Sequence, residues 1–162
     1  MSGKRIADST VVLSQFMQPE HANVRGNVHG GLLMKLMDEA GGLCATRHAR
    51  RPAVTVAVDT LTFMSPVHVG DLVILEAHMT YAGRTSMEVE VHVEAENILS
   101  GERTYTNSAF IVYVALGDDN RPCQVPPLIL ETDAERERFE RARQRQAERL
   151  SQRGSPTRRA QD

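Results

Sequence analysis

The chain has 162 residues, a length that suits one domain with a single hydrophobic core. Its formal net charge of −2 gives no global attraction to nucleic acid or anionic membrane, and with no Trp the core must rest on Val, Leu, Ile, Met and Ala. Cys44 and Cys123 stand far apart without Cys-x-x-Cys spacing, so free thiols are expected and a disulfide is not.

In chain order, residues 9–17 are β-branched and apolar enough for a first strand. A polar loop over residues 18–28 leads into a helix expected from about His29 to Arg47, with Pro52 closing it from downstream. Gly41 and Gly42 inside that helix cost about 1 kcal/mol each against Ala, which is tolerable if a wrapping sheet packs closely there. Strands are expected over residues 53–63, 71–81, 84–96 and 103–116, separated by turns at Ser65-Pro66, Ala82-Gly83 and Leu99-Ser-Gly101. Residues 84–96 have the clearest period of two, with Met87, Val89, Val91 and Val93 on one face and Glu88, Glu90, His92 and Glu94 on the other. One helix after the first of five strands predicts an α+β domain whose mostly antiparallel sheet wraps the helix.

Arg121-Pro-Cys-Gln-Val-Pro-Pro127 reads as an extended arm. From Thr132 to Gln152 the chain is packed with Arg and Glu, and Thr132-Asp-Ala-Glu135 forms a capping box. This helix is nearly polar all round, so it is expected to be solvated, and its removal to expose little core. The interleaved Glu residues argue against RNA binding. The organisation expected is a domain over 1–129, a charged helix over 130–152 and a disordered tail over 153–162.

The N-terminus has no apolar secretory segment, and the longest apolar stretch, Leu32 to Thr46, is too short to span a bilayer. A cytoplasmic protein without stable membrane association is expected.

The informative segment runs from Asn23 to Gly42. His29-Gly30-Gly31 stands where a helix begins, so bare N–H groups and the positive end of the helix dipole meet a backbone that a ligand can approach without a Cβ in the way. Asp38 follows on a mainly apolar face, a costly place for a charge without a role. The pair suits polarising a carbonyl and activating a water against it. Seven residues of helix separate them by about 10 Å, too far to serve one carbonyl carbon, so two antiparallel copies across a two-fold axis are the simple solution. No Gly-x-Ser-x-Gly elbow and no Cys-His motif offers an acyl-enzyme nucleophile, and the histidines lack metal-ligand spacing, so no metal is expected.

Asn-x-x-Gly-Asn-Val-His-Gly-Gly followed by Met-Asp-Glu-Ala-Gly resembles the hotdog-fold acyl-CoA thioesterases, in the cytosolic acyl-CoA hydrolase branch with its bacterial single-domain type. Thr55-Val-Ala-Val-Asp59, Pro66-Val-His-Val-Gly-Asp71, Gly83-Arg-Thr-Ser-Met-Glu88 and Thr106-Asn-Ser-Ala-Phe110 agree with it, so the likeness covers roughly residues 9–129. The resemblance implies a five-stranded hotdog sheet around one long helix and hydrolysis of fatty acyl-CoA to free acid and coenzyme A. It makes Asp38 the general base or the nucleophile of a transient anhydride, Gly31 N–H the oxyanion donor, and Asn23 the residue that places water or thioester. His29, at the helix start, and Thr55, whose hydroxyl would lie near the implied site, are further candidates for a catalytic role. Gly83, Arg84, Thr85 and Ser86 would contact the coenzyme A pyrophosphate. His48-Ala-Arg-Arg51 is a basic cluster at the helix end that suits the C-terminal dipole in any case, and its Arg50 and Arg51 are candidates for the 3′-phosphate. Coenzyme A is then part of substrate and product, with no separate cofactor. A homodimer is the implied active unit, assembled into a hexamer. Two rivals remain on the same fold: a hydratase or dehydratase, whose His precedes Phe-Pro-Gly and not Gly-Gly, and a non-enzymatic acyl-CoA-binding regulator, against which Asn23 and Asp38 both speak.

Overall fold

The computed structural model describes residues 1–153; the tail expected to be disordered lies, apart from Arg153, outside the described residues. The elements run β1 (Lys4–Arg5), β2 (Val11–Phe16), α1 (Gly30–Ala49), β3 (Ala53–Phe63), β4 (Asp71–Ala82), β5 (Ser86–Asn97), β6 (Arg103–Ala115), β7 (Leu128–Ile129) and α2 (Asp133–Arg153). The five long strands form one antiparallel sheet in the order β2-β4-β5-β6-β3, curved around α1. This is the hotdog architecture.

The strand periodicity explains the wrap. Val73, Leu75, Ala77 and Met79 of β4 alternate inward with Met87, Val89, Val91 and Val93 of β5, all fully buried, and meet Leu33, Leu36, Met37, Ala40 and Cys44 of α1. Burial pushes the Cys44 thiol up to about 12, so it behaves as a small apolar side chain. Both cysteines are free.

α1 begins one residue later than expected, with His29 as N-cap, and runs on to Ala49. It ends where Arg50 turns left-handed (φ 54°) and returns its N–H to Thr46 O at 2.8 Å. The glycine at 41 is explained by packing. A Cβ there would overlap the Tyr113 hydroxyl and lie 3.1 Å from its ring carbon Cζ.

Four expectations need correction. The first strand is shorter than residues 9–17: Ser9 caps a 3-10 turn at Ile6–Asp8, and the β2–β4 ladder ends at Phe16 opposite Leu72, with Met17 bonded just beyond it to Asp71 and Gly70. A parallel pair, β1 with β7, was not anticipated; two residues a side are too few to show a period. His48, grouped by sequence with the basic helix end, is fully buried. Its Nε2 donates to Pro126 O at 2.8 Å and its Nδ1 accepts from Ser9 Oγ at 3.2 Å, which pins the proline arm to the core and leaves the ring neutral. Burial holds its pKa below the usual histidine value.

The largest correction concerns α2. Its capping box forms, with Glu135 N donating to Thr132 Oγ1 and Thr132 N to Glu135 Oε2, both at 3.2 Å. The helix is not a solvated appendage, however; it docks across the outer face of the sheet. Phe139 stacks on Tyr81 with ring centroids 5.2 Å apart, Ala142 is fully buried, and the Arg145 guanidinium lies 3.7 Å over the Phe110 ring. Beneath it Glu88, read as a solvent-facing residue of β5, is 0% exposed. Its carboxylate accepts from Thr80 Oγ1 at 2.7 Å, Arg145 at 2.7 Å and Arg149 at 2.8 Å. Arg149 also reaches Asp59 of β3 at 2.8 Å. The outer face thus carries a satisfied ionic network where the periodicity suggested water.

Candidate active site

Asp38 sits two turns into α1 and is exposed, while its neighbours Met37 and Ala40 are buried. Two hydroxyls converge on its Oδ1: Thr55 Oγ1 donates at 2.6 Å and Tyr113 Oη at 3.2 Å. Thr55 and Tyr113 face each other across the β3–β6 ladder, so adjacent strands deliver both donors to one oxygen. Among the described residues Oδ2 has no protein partner. A bulge follows Thr55, and another precedes Thr62, where Thr60 takes a positive φ of 52°. Both reshape β3 beside the cavity.

That cavity, about 380 Å³, is lined by Asp38 and Thr55 at its polar end, and by Met37, Val58, Leu61 and Ile111 along its apolar walls. Gly31 borders it as well. As the second residue of α1, Gly31 has an N–H without an intrahelical acceptor, and a Cβ there would meet nothing within 4 Å. Packing within one chain therefore does not account for the glycine.

The other expected site residues separate into two places. Asn23 lines a different cavity of about 300 Å³ with Asn27, Gly30, Phe63 and Met64. Its Oδ1 accepts the N–H groups of Arg25 (2.9 Å) and Asn27 (3.3 Å), closing its own loop. His29 serves α1 through its backbone, accepting from Leu32 and Leu33, and its ring makes no hydrogen bond among the described residues. Gly83 to Ser86 form the β4–β5 hairpin turn, with Gly83 N on Ser86 O at 2.8 Å. Gly83 also has a packing reason, since a Cβ there would stand 3.1 Å from the Tyr81 ring. Arg84 is exposed. Thr85 O accepts from Ala115 N and Pro52 O from Leu116 N, so this turn shares one end of the sheet with Arg50 and Arg51. Arg51 pairs with Asp118 at 2.7 Å.

One chain thus gathers Asp38, Thr55 and Gly31 around one cavity and leaves Asn23 in another. Tyr113 was missed, although a signal was present: the helix glycine at 41 leaves the space that the Tyr113 ring and hydroxyl occupy. Asn107, which had no role by sequence, is fully buried and donates to Met37 Sδ at 3.0 Å, a packing role beside the cavity. Among the described residues no cluster of three His, Cys, Asp or Glu gathers as a metal site, and no helix is long and apolar enough to cross a membrane.

The thioesterase superfamily model matches residues 25–102, the stretch from the Asn23 loop through β5. A protein of Zymomonas mobilis named as an uncharacterized acyl-CoA thioester hydrolase is 44% identical over 110 residues, covering 68% of this chain and 74% of the relative. The chain belongs to the thioesterase superfamily. Among solved structures, an apo-hexameric acyl-CoA thioesterase matches with 33% identity and a TM-score of 0.89, covering 95% of this chain and 99% of that one. An acyl-CoA hydrolase of Staphylococcus aureus, in complex with butyryl coenzyme A, coenzyme A and coenzyme A disulfide, matches with 28% identity and a TM-score of 0.85 over 94% of this chain and 93% of that one. Other structures of that enzyme have an Asp, a Thr or an Asn replaced by Ala. The mouse cytosolic acyl coenzyme A thioester hydrolase is 38% identical, and this superfamily member covers 86% of itself but only 39% of that longer protein in the match.

Proposed function

We propose that the chain hydrolyses fatty acyl-CoA to a free fatty acid and coenzyme A. The observation that carries this reading is Asp38: an exposed carboxylate with one oxygen tied by Thr55 and Tyr113, lining an apolar cavity. The Gly31 N–H takes the charge that develops on the thioester oxygen, a contribution of roughly 3–4 kcal/mol for such donors. Asp38 either removes the proton from an attacking water or attacks the carbonyl itself. The C–S bond then breaks and coenzyme A leaves as thiolate, its pKa of roughly 8–9 requiring little acid assistance; where Asp38 is the nucleophile, water then hydrolyses the acyl-Asp38 anhydride to the free acid and the restored carboxylate.

The minimal active unit is a homodimer. β3 is an edge strand whose Val54, Val56 and Val58 are exposed, a free ladder for a second copy. Antiparallel α1 helices across that two-fold place Gly31 and Asn23 of one chain against Asp38 of the other, which fits the separate cavities of Asn23 and Asp38 within one chain. The residues replaced in the Staphylococcus aureus enzyme support the assignment, since its Asn, Asp and Thr stand 15 and 17 positions apart, the spacing of Asn23, Asp38 and Thr55. Gly83 to Ser86 hold the pyrophosphate, with Arg50 and Arg51 at the same end of the sheet for the 3′-phosphate. Dimers assemble into a hexamer, as the hexameric relatives do, and the protein works in the cytosol without a bound metal or separate cofactor.

A thiol-release assay across acyl-CoA chain lengths tests the activity. Release of one thiol per acyl-CoA consumed, saturating with substrate, is the expected result; tight binding without thiol release would make the chain an acyl-CoA-binding regulator.

A further inference from the structure

Tyr113 is 1% exposed, yet its hydroxyl reaches the Asp38 carboxylate at 3.2 Å and the Asp38 carbonyl at 3.1 Å. The carbonyl already has the helical N–H four residues on as a partner, and the charged carboxylate is the stronger acceptor for the single hydroxyl proton. We propose that Tyr113 is a positioning residue for Asp38. It fixes the carboxylate rotamer by holding Oδ1 together with Thr55, so that Oδ2 is the oxygen offered to water or thioester.

A purely space-filling role fits the surroundings less well. At Gly41 the atom nearest to an added Cβ is the Tyr113 hydroxyl oxygen, and the helix accommodates that atom by having no side chain there. Thr55 and Tyr113 are cross-strand partners that both donate to one oxygen, and no buried side-chain polar atom of the described residues is left without a partner. Burial, and then the Asp38 charge, push the Tyr113 hydroxyl up, so it stays a protonated donor.

The inference rests on the hydrolase reading, and its test separates the two. Tyr113→Phe and Asp38→Asn are compared with wild type by thermal melting and by acyl-CoA hydrolysis over pH. Tyr113→Phe is expected to lower kcat about tenfold with KM within about twofold, and to move the acid limb of the pH profile upward, because a carboxylate that loses a donor protonates more readily. A folded Tyr113→Phe with wild-type kcat and an unmoved acid limb would overturn the inference, while a dead Asp38→Asn beside it would leave the hydrolase reading intact. Full turnover by Asp38→Asn would remove both. If Tyr113→Phe does not fold, 3-fluorotyrosine at position 113 keeps the shape and sharpens the donor. The acid limb must then move to lower pH, and an unmoved limb overturns the proposal.

Discussion

Asp38→Asn is expected to lower acyl-CoA turnover by at least about a hundredfold, the scale of a lost general base, with the fold in place. The amide is nearly isosteric, and its oxygen can still accept from Thr55 and Tyr113, which reach only Oδ1 of the two native carboxylate oxygens. Asp38 is exposed, so the substitution leaves no buried group unpaired. What disappears is the charge that deprotonates water or attacks the carbonyl. Thiol release and a thermal melt on the same preparation check both halves, and a folded variant that turns over at the wild-type rate would show that Asp38 is not the reacting group.

Removal of α2 after Thr132 is the second large effect, and the docked helix reverses the expectation from composition. Truncation strips the cover from Tyr81 and Phe110 on the outer sheet face and takes both guanidinium partners from Glu88. Breaking a buried ion pair costs about 3–5 kcal/mol, and on a domain of this size each kcal/mol moves Tm by about 2–4 °C. A fall in Tm on the order of 10 °C is therefore expected, together with association through the uncovered face. Activity should fall as well, because Arg149 anchors Asp59 next to Val58, which lines the Asp38 cavity. A truncated chain with the wild-type melting temperature and turnover would return α2 to the status of an appendage.

The parts of the fold that sequence made legible are those with a strong local signal. Residues 53–63 form the expected strand to the residue, and β5 keeps its Met87-Val89-Val91-Val93 core face. His-Gly-Gly marked the start of α1 to within one residue. Legibility failed where a partner distant in sequence decides the environment. Period two places Glu88 away from the core, but only the docked α2 turns that position into a buried ionic site. A helix of Arg and Glu shows no face to bury until Arg145 lies on Phe110 and Arg149 on Glu88. In the candidate site, Asp38 and Gly31 were legible from helix geometry. Thr55 was one strand hydroxyl among many until the fold brought it 2.6 Å from Asp38. Tyr113 lies 75 positions from Asp38, and only the β3–β6 register places it opposite Thr55.

Subunit complementation tests the composite dimeric site most directly. Asn23→Ala and Asp38→Asn are each purified as inactive protein, mixed, and allowed to exchange subunits, with exchange verified by mass-tagged chains. In every mixed dimer one site then contains no substituted residue and the other contains both. Random exchange of equal amounts should restore about a quarter of the wild-type thiol-release rate. No recovery after proven exchange would contradict the account, because each site would then be built within a single chain.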